Sequence, residues 1–317
     1  MFATLLATFQ TLLPVFALIL AGFACRRRGL MGPTAATELN RFVVWLALPA
    51  LLFDAMAHAT PAEMIQPAFI GAFGLASAIV FVAVLMLRLR GRRHLADASI
   101  DAIAAAYPNT GYIGYPLGLI VFGAASLAPT TIATILIVCV LFSLAVVLIE
   151  VSLQTEQRHG KLAWKVFSSL LRNPLVISPL AGLLLAILRW PVPASAESFL
   201  KLLGAAASPC ALVCLGLFLA EKRPDTKAEA GAITLTVAKL LLQPLLTWWL
   251  AARVFMLPRE LTEMAVLLAA LPTGTGPFML AEFYRREAYV TSRTILYSTV
   301  GSLATLTILL IFMPHGK

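Results

Sequence analysis

Apolar residues run in long blocks along this chain, and short charged clusters separate them. A helix that crosses a bilayer needs about 20 mostly apolar residues. On that ruler the pattern predicts ten helices, at 4–24, 34–57, 67–88, 99–122, 127–150, 171–189, 197–220, 229–253, 260–281 and 291–313. A transmembrane β-barrel would alternate residue by residue instead. Two of the ten predicted helices are interrupted in the middle. The fourth reads Tyr107-Pro108-Asn109-Thr110-Gly111-Tyr112-Ile113-Gly114-Tyr115-Pro116, and the ninth reads Leu271-Pro272-Thr273-Gly274-Thr275-Gly276-Pro277. Lipid offers no partner to an unpaired backbone group. Irregular backbone therefore survives at membrane depth only where protein or an aqueous cavity covers it. Two such breaks at matching places mark a solute-binding site.

Composition agrees with a polytopic all-α membrane protein. The 317 residues are 60% hydrophobic and 12% charged, with mean hydropathy +0.91, roughly half the charge of a soluble domain. The net charge of +9 does not indicate nucleic acid, because the positive residues lie between apolar blocks and not on one face. They read as a topology signal. Loops after helices 1, 3, 5, 7 and 9 hold 17 of the 24 Lys and Arg, among them Arg26–Arg28, Arg88, Arg90, Arg92, Arg93, Arg158, Lys161, Lys165, Lys222, Arg223, Arg285 and Arg286. The positive-inside rule then places both termini outside the cytoplasm. The first apolar block lacks the preceding basic residues of a secretory signal. Cys25, Cys139, Cys210 and Cys214 have no metal-ligand spacing and read as small apolar residues.

Ten helices under one orientation rule divide into five plus five, and an odd number per half makes the halves oppositely oriented. Residues 1–150 form the first half, 151–170 a cytoplasmic linker and 171–317 the second half. Leu12 opens LLPVFALILAGF in helix 1, and Asn173 opens NPLVISPLAGLLLAI in helix 6. Pro49 and Pro209 are each followed by a similar apolar run, and Pro108 and Pro272 each follow an alanine-rich one. Their shared order supports an inverted repeat.

With these motifs in this order, the chain resembles the auxin efflux carrier family, in its bacterial branch. The likeness rests on Leu39-Asn40-Arg41-Phe42 leading to Leu48-Pro49-Ala50-Leu51-Leu52-Phe53, and on Pro108-Asn109-Thr110-Gly111 leading to Gly114-Tyr115-Pro116-Leu117. Lys239-Leu-Leu-Leu-Gln243-Pro244 and Leu271-Pro272-Thr273-Gly274 add to it. The resemblance implies helices 4 and 9 unwound and crossing near the midplane. It also implies a scaffold of helices 1, 2, 6 and 7 and a moving unit of helices 3–5 and 8–10. Malonate, malate or an auxin-like carboxylate as cargo, a homodimer and the bacterial inner membrane are further implications.

The breaks carry the candidate site. Pro108, Pro116, Pro272 and Pro277 remove backbone donors and block a continuing helix. Gly111, Gly274 and Gly276 permit close approach. Asn109, Thr110, Tyr112, Thr273 and Thr275 supply short-range polar groups, and half-helix N-termini aimed at the midplane would favour an anion. Kinks with glycine packing are the structural alternative. Lys239, inside helix 8, has three candidate roles: pairing with a substrate carboxylate, supporting the freed carbonyls in place of a coupling cation, or snorkelling to the interface. Gln243 is one turn further on, and Asn40 and, less so, Gln66 are additional polar candidates. Asp54 is placed near the outer end of helix 2, Asp101 as a helix-dipole partner, and Glu150 and Glu282 as solvated. No span centre holds a clear carboxylate, no metal or cofactor is expected, and sodium or proton coupling stays open.

The leading reading is a secondary carrier of a small organic anion. An anion channel, or an intramembrane enzyme or receptor using Lys239, is the alternative class. HExxH and GxSxG patterns are absent, and His58, His94, His159 and His315 fall in or near loops.

Overall fold

The computed structural model describes residues 2–58, 66–153, 174–220 and 226–313. The 151–170 linker lies outside them from residue 154 on, as do Lys222 and Arg223. All secondary structure in the described residues is helical.

Helix Phe2–Arg27 comes first. Ala35–Phe42 then runs through a π-helical turn at Val43–Ala47 into Leu48–Ala57, followed by Pro67–Arg90. Helix Leu95–Ala106 stops before the first break, and a π-turn at Thr110–Gly114 leads into Tyr115–Phe122. Leu127–Thr134 continues through Ile135–Leu141 into Phe142–Leu153. The remaining chain holds Pro174–Leu188, Ala194–Ala205, Ala207–Leu219, and a long span from Thr226–Val237 through Gln243–Trp249 to Leu250–Val254. Arg259–Ala269 and Gly276–Phe283 flank the second break, and Tyr289–Phe312 closes the described chain.

Among the described residues, six stretches are long and apolar enough to cross a membrane: Ala35–Asp54, Pro67–Arg90, Leu127–Leu153, Ala194–Leu219, Glu229–Val254 and Tyr289–Phe312. Their outer faces are apolar too, with Leu87, Val140, Leu245 and Ile308 each about half or more exposed. Such a surface suits lipid and not water. Together these features describe a multi-pass helical membrane protein.

Two helix pairs approach with almost no space between backbones. Phe2–Arg27 packs on Ala207–Leu219, and Pro174–Leu188 packs on Leu48–Ala57. A Cβ on Gly22 would lie 2.1 Å from the Val213 carbonyl oxygen, and one on Gly182 would lie 2.4 Å from that of Phe53. Only glycine allows these crossings, which is how membrane helices gain dispersion contact without a hydrophobic driving force.

One end of the bundle gathers charge. Asp101, only 3% exposed, pairs with Arg88 at 3.1 Å and Arg93 at 3.6 Å. It is therefore an ion-pair centre, where the sequence suggested a dipole partner. Arg286 grips Asp97 through two hydrogen bonds of 2.8 and 2.6 Å, and the Asp97 acceptor raises the Arg286 guanidinium above its ordinary pKa. Glu150 accepts from the Tyr284 hydroxyl at 2.7 Å, so it is held by protein and not merely solvated.

Candidate functional site

A continuous helix pairs each N–H with the carbonyl four residues back. The two breaks interrupt that ladder and must find other partners for the freed groups, since none can stay bare at membrane depth. The breaks satisfy each other. The Asn109 N–H donates to the Pro272 carbonyl and the Gly274 N–H to the Tyr107 carbonyl, both at 2.9 Å. Pro108 and Thr273 form an antiparallel bridge, the single strand-like contact among the described residues.

Side chains complete the accounting. Pro108 has no N–H for the Ala104 carbonyl, and the Thr273 hydroxyl donates there instead at 2.9 Å. The Thr110 N–H turns to Pro108 O, which frees the Ala106 carbonyl, and Gln243 Nε2 donates to it at 3.3 Å. The Thr273 N–H donates to Ser298 Oγ at 3.0 Å. That frees the Ala269 carbonyl, and Lys239 Nζ donates to it at 2.6 Å. Gln243 also donates to Ser77 Oγ at 3.1 Å.

Lys239 is fully buried. Its ammonium neither snorkels nor meets a carboxylate among the described residues. Of its three candidate roles, its position matches support of a freed carbonyl. The π-helical turn at Ala238–Leu242 carries it.

A cavity of about 400 Å³ opens on the other side of the paired breaks. Tyr107, Pro108, Asn109, Thr110, Gly111, Tyr115, Thr275 and Gly276 form its polar end. Val43, Leu48, Leu51, Val138, Ala205, Ala211 and Met279 form an apolar wall. Thr110 is wholly buried beside the cavity, and its hydroxyl has no hydrogen-bond partner among the described residues. Helix Gly276–Phe283 starts at the cavity and directs its positive dipole end there. Among the described residues, Asp54 is the one carboxylate in the lining, and no Lys, Arg or His lines it.

The sequence candidates thus separate into groups. Asn109, Thr110, Gly111, Thr275, Gly276 and Pro108 line the cavity. Thr273, Gly274 and Pro272 belong to the pairing of the breaks. Lys239 and Gln243 sit behind them, bonded to carbonyls that the breaks release. Gly274 and Gly276 make room for the Tyr107 ring, which a Cβ at either would meet at 2.8 Å. Pro116 and Pro277 stand in the first turns of their half-helices; the Tyr112 and Pro116 side chains lie outside the described ones. Asn40 does not join the others. It lines a separate cavity of about 620 Å³ with Arg41, Trp45, Glu282 and Arg285. The Gln66 amide oxygen is buried without a partner among the described residues, at the start of helix Pro67–Arg90.

Ser298 was missed by the sequence reading. A signal existed: Thr291, Thr294, Ser298 and Ser302 recur at helical spacing inside an apolar span, and all are buried. That stripe faces protein and not lipid.

Comparison with known proteins gives the family. The family described as "Membrane transport protein" matches residues 7–310. A protein of Rhizobium meliloti (strain 1021) named "Putative malonate transporter" is 31% identical over 308 residues, which cover 96% of this chain and 95% of its own. An "Uncharacterized transporter" of Methanothermobacter thermautotrophicus is 26% identical, over 94% of this chain and 95% of its own. "Auxin efflux carrier component 8" of Arabidopsis thaliana is 23% identical, over 92% of this chain and 93% of its own. The chain belongs to the membrane transport protein family that includes auxin efflux carriers, and it is a transporter and not an enzyme.

Proposed function

We propose that this transporter is a secondary carrier of a small organic anion. It would hold the anion at the paired breaks and move it by alternating access. The carrying observation is the cavity itself, which Asn109, Thr110, Thr275 and a half-helix N-terminus line together with apolar side chains. An anion would take the Thr110 hydroxyl, the Asn109 amide and the positive end of helix Gly276–Phe283. Lys239 and Gln243 would act one layer back, by keeping the unwound carbonyls fixed. The R. meliloti relative's name makes malonate the first cargo to try.

The scaffold we propose is a five-plus-five inverted repeat with ten crossings. The two glycine crossings support it. Gly22 faces Val213 and Gly182 faces Phe53. The glycines are 160 apart (182 − 22), and so are their partners (213 − 53). This equal spacing supports reading one contact as the image of the other under a repeat. The cluster of Arg88, Arg93, Asp97, Asp101, Arg286 and Glu287 supports the topology, because it brings together two of the five loops that the charge rule places in the cytoplasm, those after helices 3 and 9. Both termini would then lie outside the cytoplasm, with the protein in the bacterial inner membrane.

A thermal-shift screen of the purified protein against mono- and dicarboxylates tests the reading. A ligand at 100 times its dissociation constant adds about 2.7 kcal/mol to the folded state. Malonate or a related carboxylate should raise the melting temperature of the wild type and not of Asn109→Ala. A flat response to every carboxylate refutes the anion reading.

A further inference from the structure

The half-helix that starts at the substrate cavity ends at a second one. Helix Gly276–Phe283 has eight residues and is about 12 Å long. Gly276 lines the substrate cavity, and Glu282 and Phe283 line the other, of about 620 Å³. The positive pole of the helix faces the first cavity and the negative pole the second. Helix Ala35–Phe42, which packs on the half-helix, lines the second cavity too.

Side chains of both signs meet there. Arg41, Arg285, Arg286 and Glu282 line the cavity. Arg286 is committed to Asp97 through two hydrogen bonds. Arg41 meets Glu38 at 3.2 Å, with both side chains more than half exposed, and such a surface pair holds weakly. Arg285 has no acid partner among the described residues. Its φ of 52° is left-handed, at the position past a helix end where glycine is usual. The Arg286 N–H closes that turn on the Ala281 carbonyl at 2.7 Å. The turn thus keeps a guanidinium at the cavity against the backbone preference of arginine.

Acceptors stand beside these donors. Asn40 is 3% exposed, and its amide oxygen is buried with no hydrogen-bond partner among the described residues. A buried acceptor left bare is costly, so it calls for a donor from a ligand. Glu282 and the negative pole of the half-helix call for positive charge as well. A simple anion answers only the arginines.

The mouth of the cavity faces lipid. The Trp45 ring, one turn after Arg41, tilts against that of Phe283 at 6.0 Å between centroids. Trp45 is 53% exposed and Leu46 beside it 51%. A half-exposed tryptophan next to arginine fits the headgroup level of a bilayer, and the charge rule places the loop of Arg285 and Arg286 on the cytoplasmic side.

We propose that this cavity binds the zwitterionic headgroup of an ethanolamine phospholipid from the cytoplasmic leaflet. Its phosphate pairs with Arg41 and Arg285, and its ammonium donates to the Asn40 amide oxygen and to Glu282. The acyl chains stay in lipid beyond Trp45. A choline headgroup has the positive charge but no N–H, and a glycerol headgroup has hydroxyls but no cation, so each answers half of the lining. The leaflet follows from the charge-rule topology, and the anion-carrier reading is not required.

The test is native mass spectrometry of the delipidated full-length protein, titrated in detergent with dioleoyl phosphatidylethanolamine, phosphatidylcholine and phosphatidylglycerol. The wild type should hold one ethanolamine lipid per chain about tenfold more tightly than either other lipid, the difference expected for hydrogen bonds to charged groups. Asn40→Leu and Glu282→Gln should each bring the ethanolamine lipid down toward the choline lipid. Arg41→Ala and Arg285→Ala should weaken both lipids alike and keep the preference between them. Glu282→Gln preserves shape, so the ammonium contacts stay testable where Asn40→Leu fails to fold. Equal binding of the ethanolamine and choline lipids by the wild type overturns the site, as does tighter binding of the glycerol lipid. A preference that survives both Asn40→Leu and Glu282→Gln overturns it too. Glycerophosphoethanolamine, the same headgroup without acyl chains, separates lipid from a soluble phosphate ligand. It should displace the lipid only at far higher concentration, and displacement at equal concentration overturns the lipid assignment.

Discussion

Lys239 donates to a backbone oxygen, and this decides what its removal should do. A buried ammonium costs at least about 2.5 kcal/mol at the bilayer centre, so it persists only where it does something in return. Here it completes the ladder at Ala269. Lys239→Met keeps the volume but leaves that carbonyl bare, a loss of about 1–3 kcal/mol. We expect a lower melting temperature and only a modest loss of anion affinity, because Nζ does not line the cavity. A variant with unchanged melting and affinity reduced by orders of magnitude would assign Lys239 to the substrate instead. Thr273 allows a parallel check. Thr273→Val strands the Ala104 carbonyl and should destabilise by about 1–3 kcal/mol, whereas Thr273→Ser should restore most of the loss. Equal melting of the two variants would show that the hydroxyl does not matter. The sequence made these residues candidates, since a lysine and a Pro-Thr-Gly run inside apolar helices are conspicuous. It could not say which face of the break each one serves. That depends on how the two breaks meet, and their contact joins residues more than 160 positions apart.

At the scale of the element, helix boundaries were legible because hydropathy and lipid thickness impose them. The span expected at 67–88 forms as Pro67–Arg90, and the one at 291–313 as Tyr289–Phe312. The interrupted spans resolve as half-helices, as their proline and glycine content required. The π-turns at Val43–Ala47, Ala238–Leu242 and Leu250–Val254 were not legible. A π-turn shifts the register by one residue without a dedicated sequence signature, and the turn at Ala238–Leu242 is the one that carries Lys239. Glycine crossings are the most direct test of element packing. Gly22→Val and Gly182→Val should each sharply lower the yield of folded protein, because backbone oxygens at 2.1 and 2.4 Å cannot move aside as a flexible side chain can. Gly32→Ala, with open space around it, should behave as wild type. Equal yields across the three would show that the crossings are looser than described.

For the whole molecule, the loop charges predict a topology that can be read from both sides of the membrane. In a cysteine-free background, Trp190→Cys should react with an impermeant maleimide in intact cells, and Arg92→Cys only after lysis. The reverse pattern would invert the orientation. The carrier account makes a stronger demand, since the paired breaks must bind an anion and return it to the other side. Counterflow of radiolabelled malonate in proteoliposomes tests that most directly. Vesicles preloaded with unlabelled malonate should accumulate label transiently above its external concentration in the wild type, and the overshoot should vanish in Asn109→Ala. Label that only equilibrates in the wild type, or an undiminished overshoot in Asn109→Ala, would contradict a carrier built on the paired breaks.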